Sequence, residues 1–190
     1  MNTTATTTAT MTTTTTRTMT TTTPADPATT TYWTRIDSPL GPLLLTADRT
    51  GALTSLSVPD QKGGRTVRED WVHDPGRFRA AEEQLRAYFT GDLEEFSLPL
   101  RTHGTAFQEQ VWAALDSVPY GATTTYGEIA ARIGASRAAV RAVGGAIGAN
   151  PLLLVRPCHR VIGADGSLTG YAGGLERKVR LLTLEGALAA

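Results

Sequence analysis

Residues 125–148 read TYGEIAARIGASRAAVRAVGGAIG, and this stretch decides the architecture of the second half of the chain. Thr125 with Glu128 three positions on forms a capping box, which satisfies free amides at a helix start. The helix it opens carries Ile129, Ala130 and Ile133, and Gly134 ends it. Ser136 can cap a following helix from about Arg137 to Gly148. Two short helices across a tight glycine-containing turn make a helix-turn-helix, although an ordinary helical hairpin has the same outline. The second helix has almost no bulk: Ala138, Ala139, Ala142, Gly144, Gly145, Ala146 and Gly148 leave Arg141 as the only long side chain in its middle. Glycine inside a helix costs about 1 kcal/mol relative to alanine, so the pair asks for a reason. Close approach to another surface supplies one, either the minor groove of DNA or a neighbouring helix.

Upstream, Thr105-Ala106-Phe107-Gln108 is another capping box, followed by Val111, Trp112, Leu115 and Val118 on one face. Pro119-Tyr120-Gly121 breaks the chain. Further back, Tyr32–Asp37, Leu43–Asp48 and Leu53–Val58 are short apolar runs separated by Ser38-Pro39-Leu40-Gly41-Pro42 and Asp48-Arg49-Thr50-Gly51. Turn chemistry at that spacing predicts a small antiparallel meander. Gln61 to Val72 reads as a loop. Asp74-Pro75 reads as an N-cap and first helical position, with Phe78, Ala81, Leu85 and Phe89 on one face and Gly91 as the stop.

The segment from Met1 to about Thr31 is mostly threonine, with Arg17 its one basic residue. It offers too little apolar surface to offset the entropy of ordering and is expected to be disordered. It has neither the apolar core of a secretory signal nor the arginines of a transit peptide, and Met11 and Met19 are later candidate starts. Cys158 is the one cysteine, so an intrachain disulfide and a cysteine-rich metal site are both excluded. No apolar run has the length of a membrane span, and the chain is expected in the cytoplasm. The formal net charge is zero, yet between Ile129 and Ala164 lie Arg132, Arg137, Arg141, Arg156 and Arg160 without a single Asp or Glu. A neutral protein can carry a local basic face of this kind, to which a phosphate backbone responds.

Leu152-Leu153-Leu154-Val155 reads as a buried strand leading into Arg156-Pro157-Cys158-His159-Arg160-Val161. A lone buried cysteine is commonly inert. Here His159 and Arg160 follow it directly and are expected to stabilise a thiolate, the reactive form. Neighbouring side chains on a strand point to opposite faces, so His159 is expected to reach Cys158 through a water. The fold class predicted is α+β. A small N-terminal domain over 32–102 holds a three-stranded antiparallel sheet and a helix. A C-terminal helical domain over 103–190 holds a helix-turn-helix, winged-helix-like, and the active-site strand.

Pro157-Cys158-His159-Arg160-Val161 resembles the active-site motif of the O6-alkylguanine-DNA alkyltransferases, the methylated-DNA–protein-cysteine methyltransferases. The resemblance extends through Gly104–Gln108, Val111-Trp112, Pro119-Tyr120-Gly121, Thr125–Ala130, Arg141–Gly145, Asn150-Pro151 and Leu168–Gly174, and ends near Glu185. Many spaced matches in one order are specific where the five-residue motif alone is not. It is close over about Gly104 to Gly186 and looser over Tyr32 to Leu100.

The resemblance implies an irreversible, stoichiometric transfer of an alkyl group from O6-alkylguanine, and from O4-alkylthymine, in double-stranded DNA to Cys158. Glu185, His159 and a water would relay the thiol proton, and Tyr126 would donate to the leaving group. Arg141 would fill the space of a flipped nucleotide, with Ala142, Gly144 and Gly145 lying along the minor groove. Asn150 would be the hinge before the active-site strand, and Tyr171, Ala172 and Gly173 would wall the base pocket. A monomer without metal or cofactor is implied. Arg156 departs from the family, which has an apolar residue there; its side chain would either shift the active-site strand or reach outward to phosphate. Two other classes compete. A non-catalytic lesion binder of the alkyltransferase-like kind lacks the acceptor cysteine, which is present here. A transcription regulator would leave the Pro-Cys-His-Arg segment unexplained and would want Asn, Gln and Arg on the second helix to read major-groove base edges.

Overall fold

The structure is a computed structural model that describes Met1 and residues 30–189, so the expectation for the threonine-rich segment falls almost entirely outside the described residues. Strands β1 (Tyr32–Ile36), β2 (Leu43–Ala47) and β3 (Leu53–Ser57) form the antiparallel meander that the turn spacing predicts, with β2 in the middle. Every residue of β2 is buried. Thr46 tolerates this because its hydroxyl bonds those of Thr54 and Ser55 at 2.7 and 2.6 Å. A short fourth strand, β4 (Val72–His73), pairs parallel to β1 and gives the order β3-β2-β1-β4. Val72, the last residue of the expected loop, is thus strand: it donates to the Thr31 carbonyl at 3.0 Å and satisfies the open edge of β1.

One 3-10 turn over Pro75–Phe78 precedes helix α1 (Arg79–Thr90). Asp74 makes no side-chain cap and pairs instead with Arg77 at 2.9 Å. Phe78, Ala81 and Leu85 face inward as their spacing requires, whereas Phe89 is only partly buried and Tyr88 is completely so. Gly91 ends the helix with φ 80°, in the left-handed region that glycine enters without cost.

Helices α2 (Ala106–Asp116) and α3 (Tyr126–Arg132) both begin with complete reciprocal capping boxes, at Thr105/Gln108 and Thr125/Glu128. Between them, β5 (Thr124–Thr125) leads into α3. After Gly134 the chain makes one 3-10 turn over Arg137–Ala139 and enters α4 (Val140–Gly148); Ser136 stands at the start of that turn without a side-chain cap. This is the helix-turn-helix. The Trp112 indole nitrogen donates to the Ala146 carbonyl at 2.9 Å and holds α4 against α2. A Cβ at Gly104 would lie 2.6 Å from the Trp112 ring, so the approach to α2 needs glycine there. Strand β6 (Val161–Ile162) pairs parallel to β5 and ties the front of α3 to the segment after the cysteine. Helix α5 (Leu175–Leu184) follows.

The expected active-site strand is not a strand. Leu152, Leu153 and Leu154 are buried, but Leu154 has φ 73° and the chain folds back, Arg156 donating to the Leu152 carbonyl at 2.9 Å. Leu152 makes one bridge to Leu56, and Cys158–Arg160 is a 3-10 turn. A short apolar run fits either arrangement. What separates them is a left-handed leucine, costing roughly 1–2 kcal/mol, which composition does not show. Leu45, Leu56, Phe78 and Tyr88 from the first half share one apolar core with Trp112, Leu152 and Leu181 from the second. Among the described residues, no helix is long and apolar enough to cross a membrane.

Candidate active site

Cys158 is 3% exposed, and its Sγ lies 3.2 Å from Asn150 Nδ2. The same amide nitrogen faces the carbonyls of Leu152 and Arg156 at 3.3 and 3.2 Å, while Asn150 Oδ1 accepts from the Leu152 N–H. Two amide hydrogens serve three acceptors, so Asn150 chiefly pins the turn and only partly supports the sulfur. Burial pushes the Cys158 thiol up to about 11, outweighing the opposing pull of Asn150 and of the Lys178 charge. The group is therefore a thiol at neutral pH. The expectation that His159 and Arg160 hold it as thiolate is not met, because both side chains turn to Glu185.

Glu185 follows α5 with its side chain entirely buried. Its Oε1 accepts from His159 Nε2 at 2.8 Å, Arg160 Nη2 at 2.9 Å and the Tyr88 hydroxyl at 2.6 Å. Its Oε2 accepts from Arg160 Nε at 2.8 Å. Burial works to raise the carboxyl pKa, but these donors together overcome it and hold the group at about 2. Burial also lowers the His159 pKa, despite the attraction of Glu185, so the imidazole is neutral. An ionised carboxylate has no hydrogen to give, which assigns the ring proton to Nε2 and leaves Nδ1 with its lone pair. Among the described residues, Nδ1 has no hydrogen-bond partner.

In front of the sulfur lies a cleft of about 1020 Å³, lined among others by Tyr126, Arg141, Gly144, Gly145, Tyr171 and Ala172. The bareness of α4 has two uses here. A Cβ on Gly144 would rest 3.7 Å from the Tyr126 ring, while Gly145 and Gly148 front open space. The Tyr126 hydroxyl is loosely held, donating to the Thr169 and Gly170 carbonyls at 3.2 and 3.3 Å. Gly170 has φ 57°, and a Cβ there would come within 2.9 Å of that hydroxyl. The Tyr171 hydroxyl is buried without a hydrogen-bond partner among the described residues.

Five residues of the sequence-derived set do not line this cleft, among them His159 and Glu185, whose side chains are paired and fully buried. Asn150 stands behind the sulfur, and Ala142 is exposed but does not line the opening. Gly173 belongs to a separate cleft with Pro39 and Leu40, its carbonyl accepting from Arg177. The five-arginine face also shrinks. Arg132, Arg137 and Arg141 are exposed, but Arg160 is paired with Glu185 inside. Arg156 is 8% exposed, stacked 5.3 Å over Trp112 and 3.4 Å from the Asp116 carboxylate. It neither enters the active-site turn nor reaches outward.

Sequence reading missed three contributors. Lys178 is completely buried, its Nζ donating to the carbonyls of Val161 and Thr169 at 2.6 and 2.8 Å, and burial lowers its pKa to about 8. Its spacing to Leu181, Leu182 and Glu185 places it on the buried face of α5, a signal that was there to be read. Lys62 lines the cleft and its backbone N–H donates to the Ala172 carbonyl at 3.1 Å. Tyr88 reaches Glu185 from α1, and no local pattern announces that contact.

The family pattern described as 6-O-methylguanine DNA methyltransferase, DNA binding domain, matches residues 106–187, and its ribonuclease-like domain matches residues 31–102. A methylated-DNA–protein-cysteine methyltransferase of Mycobacterium tuberculosis is 53% identical over 154 residues, covering 81% of this chain and 92% of its own. One of Methanosarcina acetivorans is 49% identical, covering 82% of this chain and 98% of its own. The crystal structure of Mycobacterium tuberculosis OGT in complex with DNA superposes with a TM-score of 0.75 at 51% identity, covering 83% of this chain and 93% of that one. A helix-turn-helix beside a cleft that ends on one buried sulfur, in a stretch that matches a DNA-binding family pattern, defines a DNA-binding protein with a thiol at its candidate site. The chain belongs to the 6-O-methylguanine DNA methyltransferase family, and is a DNA repair enzyme that moves an alkyl group from DNA to a protein cysteine.

Proposed function

We propose that Cys158 is the alkyl acceptor and that O6-alkylguanine in double-stranded DNA, with O4-alkylthymine as a second substrate, is the donor. The observation that carries this reading is the cleft itself. It ends on the one thiol of the chain, and its wall of small residues on α4 leaves room for a base. The target carbon lies inside the duplex stack, so the nucleotide must be extruded, at a cost of roughly a few kcal/mol. Arg141, exposed on the rim of the cleft, would enter the vacated space while α4 lies along the minor groove.

With a thiol near 11, ionisation at neutral pH costs on the order of 5 kcal/mol. The proton therefore leaves as transfer proceeds, through a water to Nδ1 of His159, whose orientation Glu185 holds. Sγ forms its bond to the alkyl carbon, the carbon–O6 bond breaks, and its electron pair stays on the base oxygen. Tyr126 donates a proton toward that oxygen; its hydroxyl, kept neutral by burial and only loosely bound, is free to turn. The imidazolium later returns its proton through solvent to the tyrosine. The product thioether is not cleaved by water and no second thiol exists, so each molecule turns over once.

The chain is read as working as a monomer in the cytoplasm, with an α+β unit over 32–102 and a DNA-binding, alkyl-acceptor unit over 103–190. Duplexes carrying O6-methylguanine or O4-methylthymine with a tritiated methyl test the substrate assignment. Label is expected on the protein from both; label from neither would overturn the assignment, and label from guanine alone would remove the thymine lesion. Arg141→Ala is expected to slow repair in duplex about tenfold or more, as loss of roughly 1–2 kcal/mol of stack filling requires, with little change on the free base. Equal slowing on both would remove the stack-filling role.

A further inference from the structure

Tyr88 belongs to α1, far in sequence from the cysteine, yet its hydroxyl donates at 2.6 Å to Glu185 Oε1 with both side chains buried. The ring is held by Phe89, Phe96 and Tyr120, at centroid distances of 5.5, 5.1 and 6.0 Å. Oε1 is the same oxygen that faces His159 Nε2 at 2.8 Å, whereas Oε2 is engaged by Arg160 Nε. A donor from the first half of the chain therefore shares the acceptor that orients the histidine.

We propose that Tyr88 is a positioning residue of the proton relay, which sets the basicity of His159 through the shared oxygen of Glu185 and so fixes the pH range in which Cys158 reacts. The inference rests on the reading of His159 as the base that takes the thiol proton. A hydrogen bond to Oε1 draws negative charge from the oxygen and weakens its hold on an imidazolium. With Tyr88 in place, His159 stays neutral to lower pH and keeps Nδ1 ready to accept. The other groups facing this cluster are Arg160 beside Glu185, Tyr120 with Glu94 near it, and Lys178 and Tyr171 beside His159. Among these, Arg160 also donates to Oε1, but as a guanidinium cation. Besides His159 itself, Tyr88 is the neutral donor on that oxygen, so its hydroxyl can be removed or strengthened without changing the charge of the cluster.

The test is single-turnover alkyl transfer against pH on an O6-methylguanine duplex, for the wild-type protein, Tyr88→Phe, and a protein carrying 3-fluorotyrosine in place of Tyr88. Phenylalanine keeps the ring and removes the donor; the more acidic fluorophenol strengthens it. The acid limb is expected to move to higher pH by about half a unit or more in Tyr88→Phe and to lower pH in the fluorinated protein. DNA affinity should be the same in all three. Coincident profiles, or shifts in the same direction, overturn the proposal. A Tyr88→Phe protein that fails to fold leaves the decision to the fluorinated one, whose limb must move down. A wild-type protein that transfers nothing to Cys158 defeats the alkyl-acceptor reading as well, whereas normal transfer with coincident profiles defeats only the role given to Tyr88.

Discussion

Cys158→Ala is expected to abolish alkyl transfer while leaving DNA affinity within about threefold, a change below 1 kcal/mol. The sulfur is the only thiol of the chain, so no other side chain can take its place as a soft nucleophile. Its exposure of 3% leaves it almost no surface to offer DNA. The exposed cations, Arg132, Arg137 and Arg141, lie on or before the two helices of the helix-turn-helix. Trimming a buried thiol to a methyl costs roughly 1–2 kcal/mol of packing, too little to unfold a domain of ordinary stability. Gel-shift titration and transfer from lesion-bearing duplex measure the two effects separately. Loss of binding together with transfer would mean that the cysteine shapes the DNA-facing surface rather than reacting.

Glu185→Leu is expected to have the largest effect on stability. It strands the Arg160 guanidinium inside the protein and removes the shared acceptor of His159 and Tyr88. Breaking a buried charge pair by deleting one partner costs roughly 3–5 kcal/mol, and the midpoint of thermal unfolding should fall by about 10 °C. Transfer by the folded fraction should drop about a hundredfold, since His159 loses the group that fixes its tautomer. Glu185→Gln separates charge from shape. The folded pKa of Glu185, about 2, lies below its ordinary 4.5. Its stabilising contribution is therefore complete above the ordinary value and is lost as pH falls towards about 2. Across that window the wild-type protein should lose stability more steeply than Glu185→Gln. Parallel curves, or a Glu185→Leu protein melting with the wild type, would show that the carboxylate is not the anchor of the cluster.

What was legible in the sequence was local. Each capping box is four residues long and announces its helix start directly, and both occur where Thr105 and Thr125 place them. The glycines of α4 signalled a close approach, and the structure supplies both a neighbouring tyrosine ring and an open cleft. Failures fell where a distant partner decides. Leu152–Val155 carries the burial of a strand but follows the geometry imposed by Leu154 and by Asn150, which bonds the backbone at Leu152 and Arg156. Arg160 looked like part of a basic face because its partner lies 25 residues away, and the bond from Tyr88 to Glu185 spans 97. Lys178 was legible in principle, on the inward spacing of α5, but a lysine there reads by default as a solvated residue.

The most direct test is the intact mass of the protein after incubation with excess duplex containing O6-methylguanine, followed by peptide mapping. A gain of one methyl per molecule, confined to the Cys158 peptide and not exceeded on longer incubation, is the predicted result. An unchanged mass, a methyl on another residue, or continued repair beyond one lesion per protein would contradict it.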